Sequence, residues 1–324
     1  MSDVEDGRAV GSEPHREAPA TRTTAARGAS AADDVPATVY GFLGLGNMGA
    51  PMAANIAAAG FQVVGYDAAG TNDRRPEGVR GVDSVDDVAR ASDTVFLSVP
   101  DGRVTLAIAE QIAGLTDRRA SVVIDLSTVG PVAAQGADAL LAGAGVTYAD
   151  GPVSGGVAGA RARTISLMFA GPTDVFEAHR DVLASFAGNL FHVGEQAGQG
   201  QAMKLLNNFL SATALAATSE AFALGQAYGL ELETMLDVVN VSTGRNSATY
   251  DKFPNRVLTG SYDTGFHTRL MAKDVRLFNS VAREVGTSHE VSEAVGAVWN
   301  ACEDAMPASD FSEIWKYVSR RSGG

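Results

Sequence analysis

The sequence predicts an α/β protein with a doubly wound parallel sheet, followed by an all-α C-terminal domain joined to it by one long helix. Three observations predict this. Short β-type runs alternate with helical patterns from residue 38 to about 193, as repeated βα units do. From residue 201 onward the periodic segments are all helical. Between the two, Gly198 and Gly200 give way to a proline-free run that continues to Gly229. The expected division is a tail at 1–36, a sheet domain at 37–198 and a helical domain at 199–324.

The tail consists of Ala, Arg, Ser, Thr, Asp and Glu with almost no large apolar side chain, the composition of a disordered segment. It lacks the apolar core of a secretory signal, and its acids speak against an organelle transit peptide. No stretch is apolar for long enough to suggest a membrane span, so a cytoplasmic protein is expected. The chain of 324 residues carries 38 acids and 25 Lys or Arg, a formal charge of -13. That balance argues against nucleic acid and anionic membrane surfaces as partners, since both require a basic footprint. Cys302 is the sole cysteine and the five histidines are scattered. An intrachain disulfide is excluded, and no metal site is expected.

The elements follow in order. Thr38 to Leu43 is β-type, and Gly44-Leu-Gly46-Asn47-Met48-Gly49 leads into a helical pattern from Ala50 to Ala59. Phe61 to Asp67 is the next strand, ending on an acid 23 positions beyond Gly44. Ser84 to Ala91 opens with a Ser-x-x-Asp capping pattern. Thr94 to Val99, Ser121 to Leu126, Val146 to Asp150, Ile165 to Ala170 and Leu190 to Val193 read as strands. Helices are expected at Asp101 to Ala113 and Pro131 to Leu141. In the second half they are expected at Gln201 to Tyr228, Glu231 to Val241, Ala248 to Val257 (interrupted at Pro254), His267 to Val285, Glu290 to Glu303 and Phe311 to Val318.

A glycine triplet between strand and helix, with an acid closing the following strand, is the context of the Rossmann-type dinucleotide fingerprint. Gly44 allows the tight turn, Gly46 admits a pyrophosphate, and Gly49 lets helix and strand pack closely. Asn47 and Met48 complete the loop. A carboxylate at Asp67 accepts hydrogen bonds from a ribose 2′-hydroxyl and repels a 2′-phosphate. NAD is therefore expected over NADP; Arg74 and Arg75 either soften that preference or sit in a solvated loop. Ligands of such sheets bind beyond the strand carboxyl ends, where Val99-Pro100, Asp125-Leu-Ser-Thr128 and Asp150-Gly-Pro-Val-Ser154-Gly155-Gly156 fall. Ser154 and the two glycines offer a hydroxyl and adjacent amides, a nest for a carboxylate, or else an ordinary turn.

Lys204 is the only charged residue between Glu195 and Glu220, on a helix expected to run about 40 Å. Placed in the first turn, it would meet the positive end of the helix dipole, and apolar surroundings would lower its pKa further. Asn208 lies four residues on, on the same face. The pair reads either as an acid/base with its positioning group or as a snorkelling lysine beside a cap. Arg245, in Ser242-Thr-Gly-Arg245-Asn246, falls where it would meet a second anionic group or simply face water. The apolar helices carrying Trp299 and Trp315 suggest subunit contact, as a homodimer or homotetramer.

Four blocks in order (Gly41 to Gly49, Asp150 to Gly156, Gly198-x-Gly-x-x-x-Lys204-x-x-x-Asn208 and Lys273-Asp274) resemble the β-hydroxyacid dehydrogenase family. That family contains 3-hydroxyisobutyrate dehydrogenases and tartronate semialdehyde reductases, and the resemblance covers about residues 39 to 320. It implies Lys204 as catalytic acid/base, with Ser154, Gly155 and Gly156 on the carboxylate of a small substrate and Asn208 positioning it. It also implies Thr128 on the nicotinamide side and Lys273 on cofactor or substrate. Two positions depart from the family pattern. Arg163 stands where members usually carry glycine, and Val104 where many carry asparagine. Imine reductases and non-catalytic NAD-binding relatives share the fold, but they typically lack the lysine.

Overall fold

The computed structural model describes residues 38–322; the tail expected to be disordered lies outside them. Nine strands form one sheet. They are β1 (Val39–Leu43), β2 (Gln62–Tyr66), β3 (Val79–Gly81), β4 (Thr94–Leu97), β5 (Val122–Asp125), β6 (Thr147–Asp150), β7 (Val153–Ser154), β8 (Ile165–Ala170) and β9 (Ala187–Gly194). The first six are parallel in the order 3-2-1-4-5-6, the doubly wound arrangement of Rossmann domains. The helices around them are α1 (Gly49–Ala58), α2 (Thr71–Arg74), α3 (Val85–Ala91), α4 (Gly102–Gly114), α5 (Pro131–Ala142), α6 (Gly156–Ala162), α7 (Thr173–Ala178) and α8 (Arg180–Phe186).

Strand periodicity explains the two layers of core. Neighbouring side chains on a strand point to opposite faces, and here both faces are covered. Phe42, Phe96 and Ile124 join one buried cluster with Met52 and Ile56 of α1. Their neighbours Leu43, Leu97 and Val123 join another with Ile108 and Ile112 of α4. The capping pattern at Ser84 is realised: its hydroxyl accepts from the Asp87 amide at 3.1 Å.

The sheet is not parallel throughout. β8 runs antiparallel to β6 and β7, and β9 runs parallel to β8. Only residues 155–164 separate β7 from β8, too few for a crossover back to the same direction. The longer α7–α8 connection allows β9 to return parallel to β8. The sequence analysis gives no helix at α6, which is Gly- and Ala-rich, or at α7 and α8, which at six and seven residues are too short to show a helical period.

Helix α9 (Gln199–Ala227) leads into the helical domain, formed with α10 (Leu232–Asn240), a π-helix at Ala248–Val257, α11 (Thr268–Glu284), α12 (Glu290–Ala305), a 3₁₀ turn at Phe311–Glu313 and α13 (Ile314–Ser322). At 29 residues α9 is about 43 Å long, and it packs on β6, β8 and β9 as well as on α10 to α13. Trp299 and Trp315 are both buried in the helical core with Phe253 and Met271, and the Trp299 indole donates to the Ala212 carbonyl at 3.2 Å. They therefore offer no surface to a second subunit. Their burial takes these two side chains out of any subunit contact the helical domain makes.

Candidate active site

The glycine loop after β1 has the three properties its spacing predicts. Gly44 has φ of +93°, and a Cβ there would lie 2.2 Å from the Ser98 carbonyl oxygen. At Gly49 a Cβ would meet the Gly44 carbonyl oxygen at 1.9 Å, so only glycine lets α1 approach β1 this closely. At Gly46 a Cβ would meet nothing within 4 Å; the backbone there borders open space, as a cradle for a pyrophosphate requires. Met48 packs partly on the sheet core, while Asn47 is exposed at the tip. The buried Asp67 accepts from the Leu45 amide at 2.7 Å and the Ala69 amide at 2.8 Å. Its Oδ1 lies 3.6 Å from Nη1 of the half-exposed Arg74.

The next two loops are tied to one another and to α9. The Val99 amide donates to Ser127 Oγ at 2.8 Å, and Pro100 beyond it is exposed. Gln201 is fully buried. Its Oε1 accepts from the amides of Val129 (2.9 Å) and Gly130 (3.1 Å), and its Nε2 donates to the Ser127 carbonyl at 3.0 Å. This clamp grips the chain on both sides of Thr128, whose own carbonyl accepts from Lys273 Nζ at 2.9 Å. Thr128 and Lys273 line one depression together with Asp101 and Val129.

Asp150, at the end of β6, holds the start of α9. Its Oδ1 accepts from the Gly198 amide at 2.6 Å and its Oδ2 from the Gln201 amide at 2.7 Å. Burial pushes this carboxyl up to about 7, against the two amides, which favour its ionised form. Gly200 lets the contact form, since a Cβ there would lie 2.6 Å from Asp150 Oδ2.

Anchored in this way, α9 directs Lys204 and Asn208 into a second cavity of about 330 Å³. Ser154, Gly155, Gly156 and Asn207 line the same cavity. Lys204 is the sixth residue of α9 rather than a first-turn residue, and dipole effects fade beyond the first turn. The expected dipole contribution is therefore withdrawn; burial carries the effect. Lys204 is only 7% exposed, and burial lowers its pKa from 10.5 to about 8, with Asp274 pulling it upward and Lys273 pushing it further down. Asn208 Nδ2 donates to the buried Asp274 Oδ2 at 2.7 Å, while Asp274 Oδ1 lies 3.5 Å from Lys273 Nζ. Asp274 thus joins the two depressions: it orients Asn208 on one side and faces Lys273 on the other.

Ser154 Oγ is 3.5 Å from Asn207 Nδ2. Gly155 has φ of +132° and leaves no room beside Ile165, whose Cα would be 3.2 Å from a Cβ. Arg163, where family members usually carry glycine, caps α6 in the left-handed region at φ 60° and donates from Nε to Asn55 Oδ1 at 3.1 Å. The departure is absorbed by a side-chain bond away from the cavity lining. Val104 is part-buried against the sheet core. Arg245 lies over the Tyr250 ring, 5.5 Å from its centroid, and does not line the cavity. The cations that do line it besides Lys204 are Lys252 and Arg256.

Comparison with known proteins shows the family. Residues 39–194 match a family model described as the NAD binding domain of 6-phosphogluconate dehydrogenase. Residues 198–318 match one described as NAD-binding of NADP-dependent 3-hydroxyisobutyrate dehydrogenase. A 3-hydroxyisobutyrate dehydrogenase of Pseudomonas aeruginosa is 37% identical over 261 residues, 78% of this chain and 87% of the relative. The chain belongs to the 3-hydroxyisobutyrate dehydrogenase family. A 2-(hydroxymethyl)glutarate dehydrogenase of Eubacterium barkeri is 33% identical over 248 residues, covering 75% of this chain and 82% of that one. The solved structure of Mycobacterium tuberculosis 3-hydroxyisobutyrate dehydrogenase with L-serine superposes with a TM-score of 0.80 at 31% identity. The match covers 87% of this chain and 99% of that one. As a family member the chain is an NAD(P)-binding hydroxyacid dehydrogenase. Among the described residues no helix is long and apolar enough to cross a membrane.

The sequence assigns no role to the side chains of Gln201, Asp150, Asn207 and Asp274, which hold the site's segments together here. A polar residue on a charge-poor helix, as at Gln201, was the available signal.

Proposed function

We propose that the chain interconverts a small β-hydroxyacid and its oxo acid with NAD, with Lys204 as general acid/base. When bound, the nicotinamide cofactor supplies the hydride acceptor. The glycine loop, with Gly44, Gly46, Asn47, Met48 and Gly49, receives the pyrophosphate, and Asp67 takes the ribose hydroxyls. Val99, Pro100, Thr128 and Lys273 border the nicotinamide end. The support for NAD over NADP is the buried carboxylate of Asp67, which repels a 2′-phosphate, although Arg74 stands beside it.

Ser154 and the amides of Gly155 and Gly156 hold the substrate carboxylate, and Asn208, fixed by Asp274, positions the hydroxyl. Neutral Lys204 removes the hydroxyl proton in oxidation; protonated Lys204 returns it in reduction. The observation that carries the proposal is the buried Lys204 amine in a cavity with Ser154 and Asn208. With its pKa near 8, about one amine in ten is neutral at pH 7, against about one in three thousand at the ordinary value of 10.5. General acid–base catalysis of this kind supplies about 10²–10⁴-fold.

The test is Lys204→Ala, assayed by NADH absorbance and by fluorescence titration of the cofactor. The variant is expected to fold and to bind NAD while losing turnover by at least about 10²-fold. Turnover near that of the parent would refute the assignment. We also propose a homodimer or homotetramer. The support is an exposed apolar stripe on α9 (Met203, Leu206 and Leu210), with Leu224, Tyr228 and Val238 further along, a surface of the kind that subunit contacts cover.

A further inference from the structure

The Lys204 cavity has a second charged pole that proton transfer leaves without a role. The π-helix contributes Asp251, Lys252 and Arg256 to the lining. Pro254 lies inside this helix. In an α-helix its ring would collide with the carbonyl four residues back, and its missing N–H would break the ladder. The wider i→i+5 turn makes room for the ring, although Pro254 still donates no hydrogen bond, and it places residues four and five apart on one face. Asp251, Lys252 and Arg256 therefore reach the cavity together.

Charge balance makes the pole notable. The whole chain carries -13, yet the bases lining this cavity are Lys204, Lys252 and Arg256, against Asp251 alone among the acids. Burial works to raise the Asp251 carboxyl, but hydrogen bonds from Lys252 and Asn255 prevail and hold it below the ordinary range. It is thus ionised and offsets one cation. Arg256 reaches Asp263 through Nε at 3.2 Å and donates from Nη1 to the Asn255 carbonyl at 2.9 Å. Phe266, Met271 and Phe311 supply an apolar part of the same lining.

We propose that Lys252 and Arg256 form a subsite for a second anionic group, so that the preferred substrate is a β-hydroxyacid whose tail ends in a carboxylate or a phosphate-type group. This rests on the reading of the Lys204 cavity as the hydroxyacid site. A flexible ammonium beside a planar guanidinium suits an anion with several acceptor oxygens, and the apolar lining suits the methylenes that separate the two anions.

The experiment compares 3-hydroxyisobutyrate, 2-(hydroxymethyl)glutarate and 2-(hydroxymethyl)-4-phosphonobutanoate as substrates of the full chain, the Lys252→Met variant and the Arg256→Met variant. The parent is expected to favour one of the two doubly anionic acids at least tenfold in kcat/KM, mainly through KM, and the preferred arm identifies the tail group. In either variant that preference ratio is expected to fall at least tenfold, with circular dichroism unchanged. A parent that prefers 3-hydroxyisobutyrate, or a ratio untouched in both variants, would overturn the proposal. Calorimetric binding of 2-methylglutarate against isobutyrate, neither of which has a hydroxyl to oxidise, separates the two readings. Tighter 2-methylglutarate binding that is lost in Arg256→Met upholds the subsite even without turnover. Equal binding in the parent overturns it even when hydroxyacids are oxidised.

Discussion

The proposed cofactor side and the proposed substrate side of this molecule are built differently. The first is local: Gly44, Gly46, Gly49 and Asp67 lie within 24 residues, and backbone geometry alone defines what each glycine does. The second draws Ser154 from the end of β7, Lys204 and Asn208 from α9, Lys252 and Arg256 from the π-helix, and Asp274 from α11. Its properties are set by burial and by charges that meet only after folding. A local site tolerates a change elsewhere in the chain. An assembled one depends on the groups that hold its segments in register.

Gln201 is the point where that dependence is greatest, since it joins the loop around Thr128 to the helix carrying Lys204. Gln201→Leu strands two buried amides and one carbonyl, each costing about 1–3 kcal/mol. A loss of at least about 3 kcal/mol by urea denaturation is expected. A loss below about 1 kcal/mol would show that the two sides are held together by something else.

Gly46→Ala tests the opposite case. With open space around the added methyl, the melting temperature should stay within about 2 °C, as for a surface change of under about 0.5 kcal/mol. The dissociation constant for NAD should rise at least about tenfold, a 1.4 kcal/mol effect. Unchanged affinity would remove the loop from the cofactor site.

The smallest effect expected is in Asp274→Asn. Asp274 raises the Lys204 pKa, so its loss should move the rising limb of hydroxyacid oxidation toward lower pH by about one unit, an effect near 1.4 kcal/mol. A limb that stays in place would limit Asp274 to holding Asn208.

These differences also decide what the sequence could reveal. The parallel strands and the glycine loop were legible because their signals are short-range: period-two apolar runs, and glycines at fixed offsets. Around Ser154 and Lys204 the residues themselves left two readings open, and only the resemblance to a known family chose between them and gave Lys273 a role. Asp150 was read as the head of a loop, though its carboxylate caps a helix that begins 49 residues later. No local pattern encodes that pairing. Arg245 looked suited to a distal anion because the loop was placed by order in the chain. The π-helix brings Lys252 and Arg256 to the cavity in its stead, and Pro254 was read as an interruption although the helix widens to accommodate it. Lys204 stood out as an isolated charge and is buried in the cavity lining, but one of the reasons offered for its pKa, the helix dipole, does not act at the sixth position.

The most direct measurement is the pH dependence of kcat/KM for hydroxyacid oxidation, in the parent chain and in Lys204→Met. Because the folded-state pKa of Lys204 is depressed to about 8, its neutral form accumulates as pH rises through that value. Oxidation should climb with its midpoint near pH 8 and level off about one to two pH units higher, and the reverse reduction should decline over the same interval. In Lys204→Met, with NAD binding retained, the limb should disappear together with most of the turnover. A variant that keeps both the limb and the rate would contradict the account.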